Sequence, residues 1–480
     1  MPTIAEHLAD FAANVASGRA DEQARRMELY ALDTLAVMLA GTVSPSSGPM
    51  LTTILSACGK AEATVMAEGR VTSAWDAALA NGAFAHALEL DDDHRIAVLH
   101  PGAVVVPAAL ASAEAADASG LTFLRALLVG YEVACRLGEV YRGSLFDHAL
   151  HPTALCGIFG AAAAASVAMG LDRDAFVRAL GIAGTQAAGL TEWRADGSWI
   201  KRLHPGRSAH GGVLAARLAQ NGFTGPATIF EGDGGFFRAF AHAGPMDPSS
   251  MTRRLGDDYR ALGTAIKPYP CCRFEHGAID LALEAAESGL QPDQIEAVHV
   301  RIYRTNVLTY HKVPKNAVDA QFNVPYAVAL ALVRKGVRLA DFTADGIKDP
   351  DVLAMAERID VTEDAGFTAK YPQEYFVELK IRLRDGRERT LLSDCPSGDP
   401  EASRYRNNPD LLPAEVRRKV GALLAECGFA ERTLALETCV AGLARASNLL
   451  ELSHILGARC LTKDKRRLSS GPAGSGRRGS

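Results

Sequence analysis

Leu155-Cys-Gly-Ile-Phe-Gly-Ala-Ala-Ala-Ala-Ala-Ser-Val-Ala-Met169 is the most apolar stretch of the chain. It is short for a bilayer span, which takes about 20 apolar residues, and its alanines and glycines let helices approach closely. It reads as a helix buried inside a helical core. Working outward, Glu22–Leu39, Ser73–Leu90, Ala103–Ala118, Leu121–Tyr141 and Thr153–Met169 have helical patterning; Asp172 caps a further helix running to Leu180, and Ser208–Gln220 follows. Thr3 and Glu6 form a capping box for a first helix with Ile4, Leu8, Phe11 and Val15 on one face. After Lys267 the period changes to two: Ala297–Arg304 and Tyr375–Leu383 alternate, and Asp385-Gly386 offers a hairpin turn into Arg389–Leu392. Helical patterns at His276–Ser288 and Tyr326–Lys335 lie between these strands, and helices return at Ala414–Cys427 and Glu431–Leu450. The expected fold is mainly α with a smaller α+β domain. Residues 1–265 are assigned to a helical domain, 266–405 to the α+β domain and 406–458 to the returning helical part. The Gly-, Ser- and Arg-rich tail, 459–480, is expected to be disordered.

A chain of 480 residues exceeds one ordinary core. With 48% hydrophobic and 22% charged residues it has globular composition, and a formal charge of −5 gives no global basic excess for nucleic acid or acidic lipid. The one basic run is Lys463, Lys465, Arg466 and Arg467. Nine cysteines without framework-like spacing, and with no Cys-x-x-Cys pair, favour reduced thiols in a cytoplasmic protein and argue against zinc-ribbon or iron–sulfur sites. The N-terminus reads as an amphipathic helix rather than a secretion signal.

Four polar clusters interrupt the apolar pattern. The first is His86-Ala-Leu-Glu89-Leu-Asp91-Asp92-Asp93-His94, followed by His100-Pro-Gly. A helix continued to Asp93 would direct His86, Glu89 and Asp93 to one face; the plain alternative is a solvated acidic helix end. No helical His pair at ligand spacing accompanies these acids, so a divalent metal is the weaker reading. The second is His148-Ala-Leu-His151-Pro-Thr153, where Thr153 is a candidate cap and His151 stands just outside the helix start, a place that suits a neutral imidazole. The third runs from Asp196 through Lys201, Arg202, His204 and Arg207 to His210, gathering cationic groups around turn residues, and reads as an anion-binding segment or a basic surface loop. The fourth, Lys267-Pro-Tyr-Pro-Cys-Cys-Arg273-Phe-Glu-His276, is stiffened by two prolines where the helical half gives way to the mixed part.

Together and in this order, His86-x-x-Glu89-x-Asp91-Asp92 with His100-Pro-Gly, His151-Pro-Thr, Lys201-x-x-His204-Pro-Gly and Lys267-x-Tyr-Pro-Cys-Cys resemble the MmgE/PrpD family of 2-methylcitrate dehydratases, cis-aconitate decarboxylases and iminodisuccinate epimerases. The resemblance covers roughly Ile4 to Leu456. It implies a helical domain built from both chain ends, a central α+β lid, a homodimer, and chemistry without metal or cofactor. Glu89 stands where the family commonly has Asp, Asp93 replaces a hydroxyl residue, and Gly102-Ala-Val follows His-Pro where dehydratases continue Ser-Asp-Asn.

The resemblance marks His151, His100, Tyr326, Lys201, Lys267, Asp93 and Glu89 as candidate catalytic residues, with His204, Arg273, Asp91, Asp92, His94 and His86 as candidate substrate-binding residues. The expected ligand is a small polycarboxylate, held by charge-assisted hydrogen bonds; neither nucleic acid nor a membrane is an expected partner. Dehydration, decarboxylation and epimerisation all need a carbanion or enolate beside a carboxylate. His151 is the expected base, and His100 or Tyr326 the expected acid. A non-catalytic carboxylate-binding protein on the same fold is the rival from another class.

Overall fold

The computed structural model describes residues 1–457 apart from positions 58, 67, 306 and 307; the tail expected to be disordered, with its basic run, lies outside the described residues. The helical part comprises α1 (Ile4–Ala16), α2 (Asp21–Gly41), α3 (Ser47–Ser56), α4 (Ala74–Ala85), α5 (Gly102–Ala115), α6 (Gly120–Tyr141), the short α7 (Ser144–Asp147), α8 (Pro152–Ala168), α9 (Arg173–Gly184), α10 (Ile200–Gln220) and the short α11 (Phe236–Ala239). Every residue of α8 is buried, as a helix with no polar face requires, and α5, α6, α9 and α10 surround it.

Small residues set these crossings. A Cβ on Gly160 would stand 2.6 Å from the Gly130 carbonyl, and one on Gly130 would stand 2.8 Å from the Gly160 carbonyl, so α6 and α8 touch backbone to backbone. Likewise a Cβ on Gly206 of α10 would meet the Leu79 carbonyl of α4 at 2.2 Å, and one on Gly82 would meet the Gly206 Cα at 2.7 Å. A strand pair, β1 (Ala63–Val65) and β2 (Arg70–Thr72), and α3 are additions that helical patterning did not foresee.

The second part contains α12 (His276–Glu287), β3 (Ile295–Ile302), the short α13 (Ala317–Ala320), α14 (Val324–Arg334), α15 (Pro350–Ala356), β4 (Ile359–Glu363), the short α16 (Ala365–Thr368), β5 (Val377–Leu383) and β6 (Glu388–Ser393). The sheet order is β4-β3-β5-β6, with β3 and β4 parallel and the other pairs antiparallel. Its core collects Val298, Val300, Leu379 and Ile381 with α12 and α14 residues. The chain is therefore mainly α with a smaller α+β part. After the short α17 (Ser403–Asn407), α18 (Leu411–Glu426) and α19 (Thr433–Gly442) pack on α2, and α20 (Leu450–Gly457) follows. The helix expected over Glu431–Leu450 is broken after Gly442. Among the described residues no helix is long and apolar enough to cross a membrane.

Candidate active site

The acidic run folds differently from the continued helix considered for it. Helix α4 ends at Ala85, and Glu89 adopts a left-handed conformation, φ 54°, which a residue with a Cβ takes only when its surroundings hold it. They do so here. Lys267 Nζ donates to the Glu89 carbonyl at 3.1 Å and lies 3.6 Å from its carboxylate, which Lys201 Nζ also contacts. Lys419 of α18 donates to the Leu90 carbonyl at 2.8 Å while paired with Asp33 of α2 at 2.6 Å.

None of the four acids is solvated; all are buried, and each has its own surroundings. Asp91 accepts from His86 Nδ1 at 2.7 Å and lies 3.6 Å from His100 Nδ1. Asp92 turns into the helical core, accepting from the Tyr131 hydroxyl at 2.7 Å and the Gly102 N–H at 2.8 Å. Asp93 exchanges two 2.8 Å backbone bonds with Ala265, and its carboxylate lies 3.7 Å from His100 Nδ1.

Two helix starts complete the site. His151 occupies the N-cap of α8 with Pro152 following, so Pro supplies no N–H where none is needed. Thr153, expected as the cap, instead accepts the His100 N–H at 3.1 Å, tying the first cluster to the second. The segment read as turns around Lys201 and His204 is helical from Ile200, with Pro205 inside the helix. Lys201 and His204 therefore project one turn apart: Lys201 to Glu89, and His204 to His151, with the two Nδ1 atoms 2.9 Å apart. Lys201 Nζ also stands over the Trp193 and Phe322 rings at 5.5 and 5.2 Å from their centroids, contacts that stabilise a cation withdrawn from water.

These groups surround a small cavity of about 30 Å³ lined by Glu89, Asp93, His100, His151, Lys201, Lys267 and Arg273, with Val98, Phe146, Thr153, Cys272, Phe274 and Phe322 as the remaining wall. Burial disfavours the Glu89 charge, but Lys201, Lys267 and His86 outweigh it and hold the carboxyl well below its usual range. Burial would also lower Lys267, yet Glu89, Asp91 and Asp93 raise it. Asp93 goes the other way: burial lifts it to about 6 against the pull of Lys267 and Arg273. His100 and His151 are both pushed well below the ordinary imidazole range, chiefly by burial, with Lys267 adding at His100 and His204 at His151. Because His100 Nδ1 donates to the Asp92 carbonyl at 2.8 Å, its neutral form carries the lone pair on Nε2.

Six of the seven candidate catalytic residues thus meet around one cavity; Tyr326 does not. Its hydroxyl donates to the Asp341 carbonyl at 2.6 Å and contacts the Gly346 carbonyl at 3.2 Å inside the second core. Of the candidate substrate-binding residues only Arg273 lines the cavity; two of its N–H groups are occupied by the Ser397 and Pro396 carbonyls, at 2.6 and 3.2 Å. His86, Asp91 and His204 stand behind the lining side chains, and Asp92 faces Tyr131. His94 points to the other face, donating to the Arg260 carbonyl and accepting from the Ala97 N–H, both at 3.1 Å. Val98, Phe146 and Phe322 escape the sequence reading, and Cys272 and Phe274 enter it only as members of the fourth cluster, because nothing separates a lining apolar residue from a core one in sequence. Among the described residues one trio, His86, Asp91 and His100, brings ligand-type atoms within 4.8 Å. The Nδ1 atoms of both histidines are engaged in the hydrogen bonds above, so a cation held through those atoms would have to displace them.

The acids predict a pH signature in stability. Burial lifts Asp92 to about 8, despite the opposing bonds from Tyr131 and Gly102, whereas the unfolded carboxyl titrates near ~4. The folded protein therefore keeps a proton that the unfolded chain has released, and Asp92's contribution is lost as pH rises from ~4 through about 8. Asp92→Asn is expected to flatten the fall in denaturation free energy between pH 5 and 8 relative to the parent. Identical slopes in the two proteins would show that Asp92 is ionised in the fold.

The MmgE/PrpD N-terminal domain matches residues 6–249 and the MmgE/PrpD C-terminal domain residues 269–437. The chain is 27% identical over 457 residues to a cis-aconitate decarboxylase of Aspergillus terreus, covering 90% of this chain and 91% of that protein. It is 29% identical over 406 residues to a cis-aconitate decarboxylase-like protein, oryM, of Aspergillus oryzae, covering 79% and 82%. With the Mus musculus cis-aconitate decarboxylase it shares 28% identity over 330 residues, 66% of each chain. Matched in both its helical and its mixed part, the chain belongs to the MmgE/PrpD family.

Proposed function

We propose that the protein is a lyase acting on an aconitate-like acid, and that its reaction is decarboxylation of an unsaturated tricarboxylate such as cis-aconitate. The observation that carries this reading is the buried cavity in which Lys201, Lys267 and Arg273 face two histidines kept neutral. The relatives named above as cis-aconitate decarboxylases favour loss of CO2 over the dehydration or epimerisation that the same cavity chemistry permits.

Loss of CO2 from the saturated arm leaves an electron pair that shifts through the double bond to the far α carbon, forming an enolate of the neighbouring carboxylate. Lys201 and Lys267 meet that charge in a site with little water, where fixed cations act most strongly. The enolate carbon then takes one proton. The Nδ1–Nδ1 contact between His204 and His151 suits its delivery: with His204 donating, His151 carries its hydrogen on Nε2, gives it to the carbon and takes one at Nδ1 from His204, while His204 gains a solvent proton at Nε2, so that one solvent proton is consumed per turnover. Glu89 holds the two lysines in place, and Asp93 stands where the family resemblance leads one to expect a hydroxyl residue.

Incubation with cis-aconitate in deuterated water tests the reading. The expected result is one CO2 and one deuterium in an unsaturated dicarboxylate per turnover, with the same rate after exhaustive chelation. Hydration or dehydration products without CO2, deuterium in otherwise unchanged substrate, or tight binding without turnover would each replace it.

A further inference from the structure

A second and larger cavity, of about 360 Å³, adjoins the first, and three side chains, Val98, Phe146 and Phe274, line both. The outer one also touches Gly143 and Tyr371 and carries Arg304 near its rim, where that side chain is two-thirds exposed and 3.9 Å from Glu363. The partition between the two spaces is thus a ring of apolar groups, with Lys201, Lys267 and Arg273 beside Glu89 and Asp93 on its inner side, and Arg304 and Asp147 outside.

Val98 has an unusual backbone. Its φ is 53°, in the left-handed region, which a β-branched residue enters only under constraint. The constraint is visible: the Val98 N–H donates to the His94 carbonyl at 2.7 Å, and the His94 N–H to the Leu99 carbonyl at 2.8 Å, closing a tight turn. Opposite, Gly143 leaves room for the valine; a Cβ there would stand 3.1 Å from Val98 Cγ2. A glycine at position 98 would take this conformation without strain but would leave the partition incomplete. Strain kept at a position that lines two cavities points to a role for the side chain itself.

We infer that substrate reaches the reaction cavity through the outer one, that Val98 with Phe146 and Phe274 forms an apolar throat between them, and that Arg304 draws the polyanion to its mouth. The inference rests on the reading of the inner cavity as the reaction site, but its test needs no turnover. Cys272 lines the inner cavity, so alkylation of its sulfur, with iodide leaving and the thiol proton lost, reports access from solvent. Cys156, buried within α8, lines neither cavity and reports general opening.

Full-length protein is treated with iodoacetamide or iodoacetate, and both cysteines are followed by peptide mass spectrometry. Val98→Gly is expected to label Cys272 about tenfold faster while Cys156 is unchanged, because the reagent no longer waits for local opening. Arg304→Trp, at an exposed position, is expected to slow both reagents at Cys272, and Arg304→Glu to slow the anionic reagent more than the neutral one. Labelling of Cys272 that ignores all three substitutions would overturn the assignment. So would a parallel rise at Cys156, since the throat would then be no separate barrier.

Discussion

Replacing His151 by alanine is expected to lower kcat by about two to four orders of magnitude, the usual loss when a positioned proton-transfer group is removed, with a much smaller change in KM. The imidazole lines the cavity, sits at the start of α8 and is held neutral mainly by burial, with His204 and Lys201 beside it. Neither the helix start nor its neighbours favours a permanent cation there, so substrate charge is met by the lysines and little binding is lost with the ring. A drop confined to kcat would mark an interaction used in the transition state rather than in the bound ground state. Free imidazole, small enough to occupy the vacated space, should restore part of the turnover and restore deuterium delivery with it. Retention of more than about a tenth of the parent rate would move the proton to Asp93 or His100.

The second large effect concerns stability. Glu89→Ala leaves Lys201 and Lys267 facing each other across a buried space with no carboxylate between them, and should cost about 3–5 kcal/mol, the range for breaking a buried pair from one side. The burial cost of Glu89 itself is outweighed only because two ammonium groups and His86 surround it. Removing one of those cations as well should therefore recover part of the loss. In a double-mutant cycle with Lys201→Met, the double variant is expected to be more stable than the sum of the single losses predicts, by an interaction term of order 1–3 kcal/mol. Strict additivity would mean that Lys201 and Glu89 do not support each other in the fold. The same variants should lose activity, since in the proposed mechanism Lys201 must be held in position to meet the enolate.

These two predictions depend on contacts that local sequence could not show. For the acidic run at Glu89 to Asp93 the sequence leaves a solvated helix end open as the alternative to a site, because its cations come from Lys201, Lys267 and Lys419, each more than a hundred residues away. The His151-Pro152 helix start was legible because proline at the first helical position carries its meaning locally. Lys201 to His204 was misjudged as turns for the opposite reason: Pro205 and Gly206 read as breakers, and only packing of α10 on α4 makes a helix of them. Tyr326 came from family resemblance, and here its hydroxyl is taken up by two carbonyls of the second core. The alternating strands β3 and β5 were found by period. Strand β4, short and paired with β3 on only one side, has no such signal.

The crossing of α4 and α10 at Gly82 and Gly206 carries a wider meaning for how such a site can diverge. Helix α10 brings Lys201 and His204, and α4 leads into His86 and Glu89, so the gap across the candidate site is gauged at a point where neither helix has a side chain. A methyl group there would act as a shim, wedging apart partners that meet at hydrogen-bond distance several residues away. Substrate preference can drift through the apolar wall, where bulk is exchanged for bulk, while the span between the two charged banks stays that of bare backbone against bare backbone.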